Sequence, residues 1–97
     1  MATGSINPNL PIFETYEMGS ISVPANTSVV DVVTIPQKAG YSAHVMNVHI
    51  TDTENSNYGR LVFVWTQDGD QLKSHIINSG GSNVSPSPLY HVLYIPV

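Results

Sequence analysis

Short runs of β-branched and aromatic residues alternate along the chain with clusters of Gly, Pro, Asn and Asp, the rhythm of short strands separated by turns. Six runs stand out. Residues 20–23 lead through a Pro24-Ala25-Asn26 turn into 28–35, which stops at Pro36. In that second run Val29, Val33 and Ile35 share one face with Asp31, while Val30 and Val32 share the other with Thr34, so both faces are mostly apolar and burial on two sides is expected. Residues 41–52 alternate more cleanly: Met46, Val48 and Ile50 are expected to point one way and Asn47, His49 and Thr51 the other, giving one wet face. After the polar stretch 53–59, residues 61–66 resume with Leu61, Phe63 and Trp65 on one face. Asp68-Gly69 predicts a hairpin between this run and 71–78. Residues 79–88, rich in Gly, Ser and Pro, read as a long flexible loop, and 90–95 closes the chain as a last strand before Pro96.

Residues 1–19 differ from the rest. Pro8 and Pro11 lie among Asn7, Asn9 and several large apolar side chains, a spacing that argues against regular strand pairing and for an extended arm. Leu10, Ile12, Phe13 and Tyr16 would be stranded in water unless they docked on something, which makes them the candidate assembly residues. The arm either packs back on its own sheet or reaches a neighbouring subunit or a larger scaffold, and the pattern leaves both open. The expected fold is all-β: a compact antiparallel β-sandwich, jelly-roll or Ig-like, over residues 20–97, with an extended N-terminal arm over 1–19.

Composition sharpens this. Val, Ile and Thr supply 27 of the 97 residues, against 4 Ala and 5 Leu, which favours strands over helices. Charged residues make up only 10% of the chain, so the water-facing surface must be built from the 29 Ser, Thr, Asn and Gln. A net charge of -4 offers no footprint for a polyanion, and nucleic acid is not an expected partner. A domain this small often gains stability from disulfides or from oligomerisation; with no cysteine, only the second route is open. No run approaches the length of a membrane helix and the first residues do not read as a signal peptide, so membrane insertion and conventional secretion are not expected.

The segment Ser20-Ile21-Ser22-Val23 with Ala25-Asn26, then Val32-Val33-Thr34-Ile35-Pro36-Gln37-Lys38-Ala39-Gly40-Tyr41-Ser42-Ala43, resembles a domain recurrent in tail-fibre, baseplate and other structural proteins of bacteriophages of Gram-positive gut bacteria. Val92-Leu93-Tyr94-Ile95 resembles that family's final strand. The resemblance covers residues 20–50 and 90–95. It implies an exposed β-sandwich on a virion, often trimeric, with no catalytic residues to carry over.

Candidate chemistry is sparse. Of His44, His49, His75 and His91, the first two are five apart in one predicted strand and are expected to face opposite sides, so no metal site and no cofactor is expected. Asp68 and Asp70, like Asp52 and Glu54, flank turns; neither pair supplies the six or more oxygens of a calcium site, and Asp-Gly is first a turn signal. A glycosidase cleft has little room in this length, no Gly-x-Ser-x-Gly elbow occurs and there is no thiol, so an enzyme is not expected. Aromatic rings stack on sugars and amides bond their hydroxyls, which makes Tyr58, beside Asn55 and Asn57, the candidate glycan contact; Trp65 is expected in the core near Phe63. The expected role is therefore a non-enzymatic phage virion protein that decorates the capsid or tail and aids host-surface attachment. Its partners would be other virion proteins, further copies of itself (a homotrimer first) and host cell-surface polysaccharide. It would be made in the host cytoplasm, released by lysis and found on the virion surface. The alternative is a dedicated receptor- or carbohydrate-binding module of a tail fibre, with 79–87 joining Tyr58, Asn55 and Asn57; a small hydrolase using Asp68 and Asp70 is disfavoured.

Overall fold

A computed structural model describes residues 10–50 and 60–97. It is all-β, with strands β1 (Ile12–Glu17), β2 (Thr27–Thr34), β3 (Tyr41–Ile50), β4 (Leu61–Asp68), β5 (Gln71–Asn78) and β6 (Pro88–Pro96). They form two antiparallel three-stranded sheets, ordered β1-β6-β3 and β2-β5-β4. The expected hairpin is present: Asp68 pairs with Gln71 across a two-residue turn whose first residue, Gly69, has a φ of 61°, a conformation that glycine adopts without a steric cost.

Three expectations, about the arm, the segment 20–23 and the loop 79–88, are corrected. Residues 12–17 form a strand, which the prolines had argued against, and the strand register begins just after Pro11, where no backbone donor is lost. Ile12 and Tyr16 turn inward and pack on the core, while Phe13, Thr15 and Glu17 face out. Residues 20–23, expected as a strand, contribute only one bridge, Val23 to Val84. Nor is 79–88 a free loop. Met18 N–H donates to Pro88 O, Ile21 N–H to Pro86 O, and Val23 and Val84 exchange both bonds. The prolines thus use only the carbonyl half of each pairing, the half they retain, and the non-proline Val84 uses both. Val84, Pro86 and Pro88 alternate inward and are buried, which is strand geometry in a sequence that reads as loop. The pairing slips by one residue between Met18 and Ile21, at Gly19, whose φ is 80°.

The two sheets face each other across one main core. Tyr90, Val92 and Tyr94 of β6 and Val45 and Val48 of β3 meet Leu72 of β5, with Val33, Phe63 and Trp65 packed against them. Trp65 is therefore at the core, as its spacing with Phe63 suggested. A second cluster, Val23, Ile76 and Val84, seals the crossover end. Polar groups fix the geometry at three points. The Tyr94 O–H donates to Pro36 O at 2.6 Å, so the Tyr16 O–H donates to the Tyr94 oxygen at 2.8 Å. Asn78, almost fully buried, donates from Nδ2 towards Val23 O, Pro24 O and Ser82 O and accepts the Gly80 N–H at Oδ1, tying both crossover segments to β5. Gln67 of β4 accepts the Val45 N–H and donates to Ala43 O, standing in for a neighbouring strand along the free edge of β3. By contrast Asp31 Oδ2 and Ser74 Oγ, opposite each other in the β2–β5 register, are buried without partners.

Asn78→Ala is expected to destabilise the protein by about 3 kcal/mol, because it takes away the partners of the Gly80 N–H and of Ser82 O and empties a buried position, whereas Ser74→Ala removes an unpaired hydroxyl and should be neutral or stabilising. Chemical denaturation of the two variants tests the contrast. Burial first, and then the bond from Tyr16, push the Tyr94 phenol far above its usual range, and burial and Tyr16 also raise Tyr90. The fold thus favours the neutral phenols. That stability is fully present below the unfolded phenol pKa of about 10 and is lost as pH rises above it, at up to about 1.4 kcal/mol per pH unit for each group. Urea midpoints should fall between pH 9 and pH 11, and less steeply in Tyr94→Phe.

Candidate functional site

With both inner faces spent on the core, the two outer sheet faces are the broad surfaces that the described strands leave exposed. On the β2-β5-β4 sheet the register sets Ser28, Ile77 and Val62 in one row, Val30, His75 and Val64 in the next, and Val32, Lys73 and Thr66 in a third. Val30, Val32, Val62, Val64 and Ile77 are 40–56% exposed and surround His75. The expectation that β2 is buried on both sides is therefore corrected for the single chain: Val29 and Val33 face the core, and Val30 and Val32 face out. Apolar clusters of this kind on a sheet face mark contact surfaces.

The outer face of β1-β6-β3 carries the other three histidines, His44, His49 and His91. Its shape depends on a bulge in β3: Val45 pairs with Val92, Asn47 pairs with His91, and Met46 is the extra residue. Met46 and Asn47 both point out, and from there the alternation is reversed, so Val48 is buried and His49 emerges outward. Plain alternation had placed Met46 and Val48 on one side and His44 and His49 on opposite sides. In the structure Met46 and Val48 are separated, and His44 and His49 lie on the same face. His91, outward on β6, completes a trio. Its Nε2 is 3.1 Å from His49 Nδ1, the two rings stack at 4.8 Å and 13°, and its Nδ1 is 3.0 Å from Thr15 Oγ1 of β1. One hydrogen-bonded line thus crosses all three strands. His44 stands apart, bonded to Ser42 Oγ at 2.9 Å. No sequence signal marked the His49–His91 contact, because 41 residues separate the two and only the register of β3 on β6 joins them.

The proposed glycan contacts Tyr58, Asn55 and Asn57 lie outside the described residues, as do Asp52 and Glu54. Of the assembly residues, Leu10 and Phe13 are about two-thirds exposed, while Ile12 and Tyr16 are committed to the chain's own core. An open concavity of about 490 Å³ is lined by Asn26, Thr27, Ser28, Ile77, Asn78 and Ser79, a hydrogen-bonding surface without an aromatic ring. Among the described residues no group of three or more His, Cys, Asp or Glu is arranged around a common point.

Deleting Met46, the extra residue, leaves Val45, Asn47, Val48 and His49 opposite Val92, His91, Tyr90 and Leu89 in an unbroken ladder, so Val48 stays inward and His49 outward, and the cost should stay within about 1 kcal/mol. Deleting Val48 instead sets His49 opposite Tyr90 on the inward face, at an expected cost of about 3 kcal/mol or more from a lost core side chain and a buried imidazole. Thermal unfolding of the two deletion variants tests this register. Compared with known proteins, the chain matches no family model, no curated protein and no solved structure, so its function is read from these two faces.

Proposed function

We propose that this chain is a non-enzymatic structural protein of a bacteriophage virion, a β-sandwich that decorates the capsid or tail and aids attachment to the host surface. The observation that carries the reading is β2, a strand patterned for burial on both faces that a single chain covers on only one. An apolar outer face made of Val30, Val32, Val62, Val64 and Ile77 suits a protein whose working form is an assembly, and the low charge of the chain offers little repulsion between copies. The sequence resemblance to phage structural modules supplies the setting: copies associate, a trimer first, and dock on other virion proteins at the virion surface. Phe13, exposed on the opposite sheet, is the remaining apolar anchor of the predicted arm that is both described and part of a strand. A dedicated carbohydrate-binding role has its support in the hydroxyl- and amide-lined concavity at Asn26, Thr27, Ser28 and Ser79, where polysaccharide hydroxyls would find partners.

Sedimentation and particle binding test this together. The parent protein is expected to be oligomeric at micromolar concentration and to bind phage particles stripped of their small surface proteins. The double variant Val30→Asp, Val64→Lys should be monomeric with its thermal transition retained, and should bind particles at least about tenfold more weakly, the loss expected from removing central apolar contacts. A monomeric parent, or a variant that assembles and binds unchanged, overturns the reading. Saturable binding to host cells competed by wall polysaccharide, with none to particles, favours the carbohydrate-binding role.

A further inference from the structure

We infer that His49 and His91 form a two-imidazole seat for a divalent transition-metal ion on the outer face of the β1-β6-β3 sheet. The nitrogens that face each other, His49 Nδ1 and His91 Nε2, are 3.1 Å apart. An ion that holds two imidazoles at roughly 2.0–2.1 Å separates their nitrogens by about 2.9 Å at a right angle and about 3.4 Å at the tetrahedral angle. The pair already stands at ligand spacing. What must change is direction: the nearly parallel rings aim their nitrogens at each other, and a turn of the His49 ring about its Cβ–Cγ bond, a soft torsion in histidine, frees both lone pairs for an ion while His91 keeps its bond to Thr15.

The surroundings fit this chemistry. His91 has its second nitrogen on Thr15 Oγ1, and a partner at the far nitrogen fixes the tautomer and orientation of a metal-binding histidine. With the His91 proton on Nδ1, Nε2 is the free lone pair. The proton that bridges the two rings then belongs to His49 Nδ1, and on metal binding it passes through solvent to His49 Nε2, leaving both imidazoles neutral. Both histidines are half-buried, so the site is open to solvent on one side, and water fills the remaining coordination positions. Glu17 occupies the next outward position of β1, in the row Glu17, Leu89, His49, across Leu89 from His49. The backbone holds the geometry firmly. His91 sits on the central strand, and the β3 bulge is what brings His49 to its side.

This site is independent of the proposed virion role, and its test needs only the purified full chain. Zinc chloride and copper(II) chloride titrations by calorimetry should saturate at one ion per chain, copper the tighter. Zinc should shift the imidazole nitrogen resonances of His49 and His91 and leave those of His44 and His75 in place. His49→Asn and His91→Asn should each weaken binding by more than the roughly 10- to 100-fold typical of losing an outer partner, Thr15→Val should fall within that range, and His44→Asn should bind as the parent does. Resonances of the parent that do not move up to millimolar zinc overturn the inference without recourse to any variant. So does binding that survives His91→Asn with the fold intact, or that His44→Asn weakens as much as His49→Asn.

Discussion

Everything in this fold is built against β6. It is the central strand of its sheet, with β1 on one side and β3 on the other, and its inward residues Tyr90, Val92 and Tyr94 form the floor of the core. A central strand must offer backbone donors and acceptors on both edges, and prolines in its approach offer no donors. The chain resolves the conflict by asking of Pro86 and Pro88 only their carbonyls, which accept from Ile21 and Met18. The extended approach to β6 then continues the pairing past the strand proper and places Val84 beside Val23 and Ile76 in the second cluster. Asn78 locks that end, since its side chain bonds both crossing segments at once.

The two sheets would have four free edges if left unguarded, and the chain treats them unequally. Along β3 the Gln67 amide acts as a short stand-in strand, satisfying Val45 and Ala43 and joining the sheets side chain to backbone. On β2 an acidic side chain, Asp31, points inward on an eight-residue strand at the edge of its sheet, a feature that discourages a further strand from adding there. For the assembly proposed above the consequence is directional: at β2 the sheet presents an apolar face rather than an inviting edge.

The opposite face is shaped by one extra residue. A bulge at Met46 turns the second half of β3 over, and the same step buries Val48 and delivers His49 to His91. Packing and chemistry are therefore linked: the core gains a valine only if the surface gains a histidine. Changes that shift this register should affect both at once.

Fold class, five of the six strands of the described residues and the β4–β5 hairpin were legible in the residues, because period-two alternation, β-branched enrichment and an Asp-Gly turn are local signals. The core place of Trp65 was legible too, from its spacing with Phe63. The strand at 12–17 and the strand-like course of 84–88 were not, because proline reads locally as a breaker, and only a neighbouring strand can show that its carbonyl half still pairs. The side on which His49 lies was likewise beyond local reading: alternation has no mark for a bulge, which exists only in the register of β3 against β6. The double apolar pattern of β2 was read correctly as a pattern, yet which of its faces the chain covers was a decision of sheet packing. By itself the sequence determined what each segment prefers to be; the tertiary structure decided which side chains meet, because register and sheet-on-sheet packing are non-local and couple residues far apart in the chain.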